Sequence, residues 1–205
     1  MKRTPLFISV LLPVLLTALP REALASETPQ SWYEDQGYAA PAGTRIVACH
    51  GYGCARRMEM SMDGALMSRV EAALRAGRGS PAAERRALSE AIRAYTAYLA
   101  ASFGGDPDLP RSPPQWSGVF GQMDCVDETT NTTSLLLVLQ EQGLLAHHRV
   151  ERPQSRGLFI DGRYPHVTAV VAEKRTGREW AVDPWTRAPG QQPDILPLDR
   201  WRQES

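Results

Sequence analysis

The chain has 205 residues, a formal charge of zero and 42% hydrophobic residues, including five tryptophans. This length and composition indicate one globular domain, with room for a small helical subdomain, and exclude a disordered chain. The balanced charge gives no indication of a nucleic-acid partner or of an anionic membrane surface.

The first 25 residues have the pattern of a secretory signal peptide. A basic pair, Lys2-Arg3, precedes an apolar run over 6–19, and a small-x-small cleavage motif ends at Ala25. An uncleaved anchor is the alternative, but the run is short for a membrane span and Pro13 interrupts it. We therefore expect a periplasmic or secreted protein with no stable membrane span after cleavage.

Export would place the three cysteines of the chain in an oxidising compartment, where disulfides persist. Cys49 and Cys54 lie in the segment CHGYGC and form the natural disulfide pair, provided that a tight turn brings them together. A metal site that includes His50, or two free thiols, are the alternatives. Zinc usually takes four ligands, and there is no second cysteine pair. Cys125 is then left as a lone thiol, a candidate reactive group.

The N-terminal half of the mature chain is predicted to be an arm followed by helices. The segment 26–44 is polar and aperiodic, which predicts an extended arm. Apolar residues at three- and four-residue steps predict a helix over 63–77. A second helix is expected over 80–103, with Ser80 as its N-cap and Pro81 at its first position.

Four methionines at 58, 60, 62 and 67 allow two interpretations. They fill irregular core space, or their thioethers form a copper-type site. A proline-rich link follows over 104–115, which either separates the helical part from the catalytic part or wraps the surface.

The stretch GQMDCVDETTNTTSLLLVL carries the lone cysteine at the start of a predicted helix. Asp124 suits the N-cap, Asp127 is its capping partner, and Cys125 takes the first helical position. The positive end of a helix lowers a thiol pKa, but the two carboxylates oppose this effect. A thiolate therefore needs a paired histidine. The glycosylation pattern at Asn131 lies inside the predicted helix, so we discount it.

After the predicted helix, the pattern changes to strands. They are predicted over 147–152, 157–160, 165–173 and 179–185, with a hairpin turn over 174–178 and an irregular C-terminal cover over 189–205.

Two of these strands carry residues of catalytic type. His166 opens the third strand and Asp183 lies near the end of the fourth. Antiparallel pairing about a symmetric turn would place them nearly opposite each other. His147 and His148 are either ligands or parts of a solvated strand.

The order cysteine, histidine, aspartate fits covalent catalysis. Cys125 would attack a carbonyl carbon, His166 would accept the thiol proton, and Asp183 would orient the imidazole. The backbone N–H of Cys125 could form half of an oxyanion hole, with the side chain of Gln122 or Gln115 as the second donor.

Three segments resemble the transglutaminase-like cysteine hydrolase superfamily, and in style the bacterial transglutaminase-like cysteine proteinases. They are MDCVDETTNTTSLLLVLQEQGLL, YPHVTAVV and REWAVDPW. The resemblance covers about 116–187 and implies a papain-related fold with Cys125 as nucleophile, His166 as base and Asp183 as orienter. The chain departs from the family pattern at Met123, where a glycine is usual. A papain-style oxyanion glutamine would also fall on Val119.

We predict an α+β fold in which N-terminal helices precede a cysteine-bearing helix packed on an antiparallel sheet of about four strands, a transglutaminase/papain-like core. The expected organisation is a signal peptide (1–25), an N-terminal arm and helical region (26–103) and a catalytic core with its C-terminal cover (104–205).

The predicted function is an exported cysteine-dependent hydrolase or acyltransferase acting on amide or peptide bonds of a peptide or protein substrate. We expect no cofactor, no metal and no nucleic acid. One alternative is a non-catalytic periplasmic binding or assembly module on the same fold. Another is a metal chaperone that uses Cys49, His50 and Cys54.

Overall fold

The structure is a computed structural model that describes residues 28–106, 108–157 and 164–204. The predicted signal peptide lies outside the described residues. In chain order the helices and strands are α1 (Pro29–Gln36), β1 (Arg45–His50), β2 (Arg56–Ser61), α2 (Gly64–Gly77), α3 (Pro81–Phe103), α4 (Cys125–Glu141), β3 (His148–Arg156), β4 (His166–Glu173), β5 (Glu179–Asp183), β6 (Asp194–Pro197) and α5 (Leu198–Trp201).

The architecture is α+β, as predicted, with two antiparallel sheets. The larger has four strands in the order β3-β4-β5-β6, and the smaller is the β1-β2 hairpin. Helix α4 packs against both β4 and β1. Its residues from Asp127 to Leu139 are all buried, so this helix forms the centre of the molecule.

The two predicted N-terminal helices are confirmed, as is Ser80 as the cap of the second; Asp63, predicted to be inside the first helix, is its N-cap. The Asp63 carboxylate accepts the Leu66 N–H at 2.7 Å, and the Ser80 hydroxyl accepts the Ala83 N–H at 3.1 Å. Gly77 ends α2 where it meets α3, and a Cβ at that position would lie 2.5 Å from the Cβ of Ala87. Only glycine therefore allows the two helices to approach so closely at this point.

The prediction of an extended arm over 26–44 is wrong for its first part, which forms α1. Thr28 caps this helix, and its aromatic residues anchor it on α4. The Trp32 indole N–H donates to the Thr130 hydroxyl at 3.0 Å, and the Tyr33 hydroxyl lies 2.9 Å from that of Ser134. The helix is short and mostly polar, so it has no apolar period that sequence reasoning could detect.

The strands differ from the prediction in two places. Strand β3 runs on to Arg156 through a register shift between Glu151 and Gln154, where a proline lacks the N–H needed for regular pairing. Of the strand predicted over 157–160, all but Gly157 lies outside the described residues. The predicted irregular cover over 189–205 is also wrong in part, because β6 and α5 form there.

The four methionines for which a copper-type site was an alternative all pack in or against the hydrophobic core. Met62 and Met67 are buried within it, whereas Met58 and Met60 lie partly buried on β2 against it. Within the described part of the chain, no helix is long and apolar enough to cross a membrane.

The two adjacent histidines do not form a solvated strand. His148 is fully buried, and its Nδ1 lies 2.8 Å from Oε1 of Glu84. His147 is half-buried, with Nε2 2.8 Å from the carbonyl oxygen of Arg78. His148 therefore joins α3 to the start of the larger sheet, and His147 contacts the residue that follows α2.

Candidate active site

The start of α4 has the predicted capping box. The Asp124 Oδ1 accepts the N–H groups of Val126 and Asp127, each at 3.0 Å. In return, the Asp127 carboxylate accepts the Asp124 N–H at 3.2 Å. Cys125 occupies the first helical position, partly buried and with a free thiol.

The predicted disulfide between Cys49 and Cys54 is confirmed, with a Cα–Cα distance of 4.7 Å. His50 takes no part in it, because its Nδ1 accepts the Gly121 N–H at 3.2 Å. A carboxylate oxygen of Asp127 lies within 4.8 Å of both sulfurs, but in a disulfide these are not thiolate ligands. The arrangement does not support the metal-chaperone alternative.

The disulfide loop is bound to the start of α4 through backbone N–H groups. Four successive residues of the loop have positive φ, so these groups point to one side as a concave anion site. Tyr52 and Cys54 donate to the Asp127 carboxylate at 2.7 and 2.6 Å, and Gly53 donates to Asp124 at 3.0 Å. The loop therefore fixes the capping box beside the cysteine. Sequence reasoning missed this contact, which joins residues more than 70 positions apart.

In the larger sheet, His166 and Asp183 are in direct contact. Nε2 of His166 lies 2.6 Å from Oδ2 of Asp183, and both side chains are about 3% exposed. The strand register pairs Ala169 with Val182, so Asp183 falls across from Thr168. The prediction that His166 and Asp183 lie nearly opposite each other is therefore wrong by two residues, and they meet diagonally.

The surroundings of His166 leave one ring nitrogen available. Nδ1 of His166 is buried and has no hydrogen-bond partner among the described residues. Trp185 and Trp201 pack on the imidazole, with ring centroids at 4.6 and 5.5 Å. Because Asp183 engages Nε2, Nδ1 is the nitrogen that can accept a proton from elsewhere.

The cysteine and the histidine strand lie side by side. The Thr129 hydroxyl of α4 donates to the Val167 carbonyl at 3.0 Å. The backbone N–H groups of Val167, the neighbour of His166, and of Cys125 itself act on the thiol and lower its pKa. Helix α4 thus brings the thiol to the beginning of β4, where His166 lies.

The thiol is held in its neutral form. The pKa of Cys125 is raised to about 12, chiefly by burial; the charges of Asp124 and Asp183 act in the same direction, and the N–H groups of Val167 and Cys125 act in the opposite direction. The expected opposition by carboxylates is confirmed for Asp124. The helix terminus alone does not produce a thiolate, so any reaction needs a base to remove the proton.

The proposed oxyanion donors lie in different environments. Gln122 is buried, its Nε2 donates to the Asp106 carbonyl at 3.3 Å and its Oε1 is 3.4 Å from the Ser112 hydroxyl. Its amide therefore braces the loop before α4. Gln115 is exposed in a short 3-10 turn. The Cys125 N–H is the candidate donor that lies at the sulfur.

Three further buried acids surround this centre, and no pattern along the chain indicates their burial. Asp108 accepts the Met123 N–H at 2.8 Å, and burial raises its pKa to about 7. Burial likewise raises the pKa of Asp127 to about 7, with the charge of Asp124 acting in the same direction. Burial raises the pKa of Glu128 well above its ordinary value, and its Oε2 has no partner among the described residues.

The fold and site together define an α+β protein in which a helix-start cysteine lies beside the beginning of β4, and in which a buried histidine on β4 contacts a buried aspartate on β5. No family model, no curated protein and no solved structure matches the chain. Its function is therefore inferred from the geometry and chemistry of these residues.

Proposed function

We propose that this protein is an exported cysteine-dependent hydrolase or acyltransferase acting on amide or peptide bonds, located in the periplasm or secreted. Cys125 is the nucleophile, His166 the base and Asp183 its orienting partner. The observation that carries the proposal is the 2.6 Å contact between Nε2 of His166 and Asp183, which leaves the buried Nδ1 of His166 without a partner among the described residues. A peptide or protein is the substrate class that this chemistry fits.

In the first step the Cys125 sulfur attacks the carbonyl carbon while its proton passes to Nδ1 of His166. Since the resting thiol is neutral, proton transfer accompanies attack. Asp183 stabilises the imidazolium through Nε2, and the Cys125 N–H is placed to bind the oxyanion.

In the second step Nδ1 returns the proton to the leaving amine, and the carbon–nitrogen bond breaks to give a thioester. Water or an amine then attacks the thioester carbonyl while His166 accepts a proton from it; the carbon–sulfur bond breaks, the acid or new amide leaves, and the proton passes from Nδ1 to the sulfur to regenerate the thiol. Sγ and Nδ1 must come within hydrogen-bond distance for both steps. Such contacts often tighten only when substrate is bound.

The order of elements supports the family resemblance. Cys125 opens the central helix α4, His166 opens β4, the second strand after that helix, and Asp183 ends the next strand, β5. This is the arrangement that the resemblance to transglutaminase-like hydrolases implies, and we propose a transglutaminase/papain-like core on that basis.

The test compares the wild-type protein with His166→Gln in two reactions across about pH 5 to 10. Iodoacetamide labelling followed by peptide mass mapping reports thiol reactivity, and p-nitrophenyl acetate with intact mass reports acylation. A positioned base contributes about 10²–10⁴-fold. We therefore expect acylation of Cys125 near neutral pH to fall by at least about 100-fold in His166→Gln.

Two controls sharpen this comparison. Cys125→Ser removes the labelled site, and His147→Gln changes a half-buried histidine whose Nε2 contacts the Arg78 carbonyl oxygen. Equal rates of Cys125 acylation for the wild type and His166→Gln at every pH would refute the proposed enzymatic function.

A non-catalytic binding or assembly module on the same fold is the second candidate. The observation that favours it is the raised pKa of Cys125, about 12, which describes a thiol that is inert unless a base acts on it. Equal wild-type and His166→Gln rates would support this candidate.

A further inference from the structure

The C-terminal helix α5 places Trp201 directly on the histidine–aspartate pair. The Trp201 indole N–H donates to Oδ2 of Asp183 at 2.9 Å, the same oxygen that lies 2.6 Å from Nε2 of His166. Trp201 is 1% exposed, and its ring centroid is 5.5 Å from that of His166. One carboxylate oxygen of Asp183 thus has two partners, the imidazole and the indole.

Trp201 is itself held by the edge strand β3. The Arg156 guanidinium lies over the indole ring, 4.4 Å from its centroid, and Nη1 of Arg156 donates to the Trp201 carbonyl oxygen. Glu204 pairs with this guanidinium at 3.7 Å. Arg156 also pairs in register with His166 across β3 and β4. The indole is therefore fixed on its face and along its backbone, so its N–H has a defined direction.

A carboxylate needs this kind of support, because rotation of its terminal torsion is soft and has no sharp staggered minima. With the imidazole as its only partner, the Asp183 carboxylate could rotate together with the His166 ring. A second donor from a rigid indole fixes the plane of the carboxylate. The cation above the ring also strengthens the N–H as a donor, since it draws electron density from the indole.

We propose that Trp201 is a positioning residue of this site, a role that rests on the proposed function. Its N–H holds Oδ2 of Asp183 toward Nε2 of His166, which fixes the orientation of the imidazole and of its Nδ1. The C-terminal segment is then a working part of the catalytic centre.

The variant that tests this is Trp201→Phe, which keeps an aromatic side chain and removes the N–H donor. Trp180→Phe is the matched control, because the buried Nε1 of Trp180 has no hydrogen-bond partner among the described residues. We expect Trp201→Phe to lower the maximal rate of Cys125 acylation by p-nitrophenyl acetate about tenfold, with KM unchanged and the pH profile altered. Trp180→Phe should keep the wild-type rate and profile.

A second measurement does not require any change at Trp201. In a nitrogen-15 NMR spectrum, the Trp201 indole N–H resonance should shift when His166→Gln or Asp183→Asn is introduced, whereas that of Trp180 should not. This readout holds even if Trp201→Phe fails to fold.

The outcomes separate the two proposals. If Cys125 acylation is no faster in the wild type than in His166→Gln, the proposed function is refuted, and the role of Trp201 is refuted with it. If the wild type shows that dependence, a folded Trp201→Phe with unchanged rate and pH profile would overturn the positioning role alone. A Trp201 resonance indifferent to both substitutions would do so too.

Discussion

His166 and Asp183 meet diagonally across the β4–β5 hairpin, with Nε2 2.6 Å from Oδ2. Extending the register from Ala169 and Val182 places Thr168 across from Asp183, so His166 is one same-face position further along its strand. Diagonal neighbours lie about 7–8 Å apart at Cα, a distance that an imidazole and a carboxylate together span. Both groups are buried, so this contact is protected from water and salt.

Removing the carboxylate should disable the site more than it disturbs the fold. In Asp183→Ala, Nε2 of His166 loses its partner, the ring is no longer oriented, and an imidazolium would be uncompensated. We expect acylation of Cys125 by p-nitrophenyl acetate to fall about 10²–10⁴-fold. Intact mass spectrometry measures the acylation, and near-UV circular dichroism verifies the fold. Asp199→Ala, at an exposed aspartate, should leave the rate unchanged, and a similar rate for Asp183→Ala would contradict the orienting role.

The disulfide should stabilise the protein and the helix start together. Closing a loop of about five residues contributes about 2 kcal/mol to the free energy of unfolding in the chain-entropy model. Cys49→Ala/Cys54→Ala should lower that free energy by about 2 kcal/mol or more. The reason for the excess is that the loop also donates N–H groups to Asp127.

Urea unfolding in a Cys125→Ser background measures the effect without interference from the remaining thiol. Adding dithiothreitol to the disulfide-containing protein should reproduce the loss, and the double alanine variant should not respond to it. A stability indifferent to reduction would contradict the prediction.

Stability should decline as the pH rises through neutrality. Burial raises the pKa of Asp108 and of Asp127 to about 7 in the folded protein, whereas an unfolded aspartate titrates near about 3.9. The folded state therefore binds more protons between these values, and the stability present below them is lost as the pH rises through about 7. Thermal unfolding should show a lower Tm at pH 8 than at about pH 6.

Asp108→Asn separates this effect from other titrations. The asparagine keeps an oxygen that can accept the Met123 N–H but carries no charge. Its Tm should fall less between the two pH values than that of the wild type. Asp199→Asn, at an exposed aspartate, is the control, and its change of Tm between the two pH values should equal that of the wild type. If Tm changes between the two pH values as much in Asp108→Asn as in the wild type, Asp108 is not the titrating group.

Glu84 should be among the most costly residues to remove. Its carboxylate is fully buried and accepts the N–H groups of Ala146, His147 and His148. Burial tends to raise its pKa, but the hydrogen bonds from His148 and the backbone lower the pKa overall. Its stabilising effect is therefore present above the ordinary glutamate pKa and lost as the pH falls through the lowered value.

Glu84→Ala leaves these donors and Nδ1 of the buried His148 without a partner. We expect a loss of about 3–5 kcal/mol in the free energy of unfolding, measured by urea titration. Glu71→Ala, which breaks a partly exposed helix ion pair with Arg75, should cost at most about 1 kcal/mol. Equal losses in the two variants would refute the structural role of Glu84.

The sequence by itself determined the features that depend on neighbours along the chain. Asp63, Ser80 and Asp124 mark helix starts because a cap bonds an N–H only two or three residues away. The Cys49–Cys54 pair is predictable because only five positions separate the two residues. The placement of Cys125, His166 and Asp183 on a helix and two strands is predictable because each of these elements has its own local pattern.

Tertiary structure alone decided how these elements meet. The diagonal register of His166 and Asp183 depends on the turn and on strand pairing, and a spacing argument cannot fix it to within two residues. The indole N–H of Trp201 reaches Asp183 from a helix in a segment whose sequence pattern predicts only an irregular cover. The burial that gives Cys125 a pKa of about 12 comes from packing of distant segments, and no local pattern reports it.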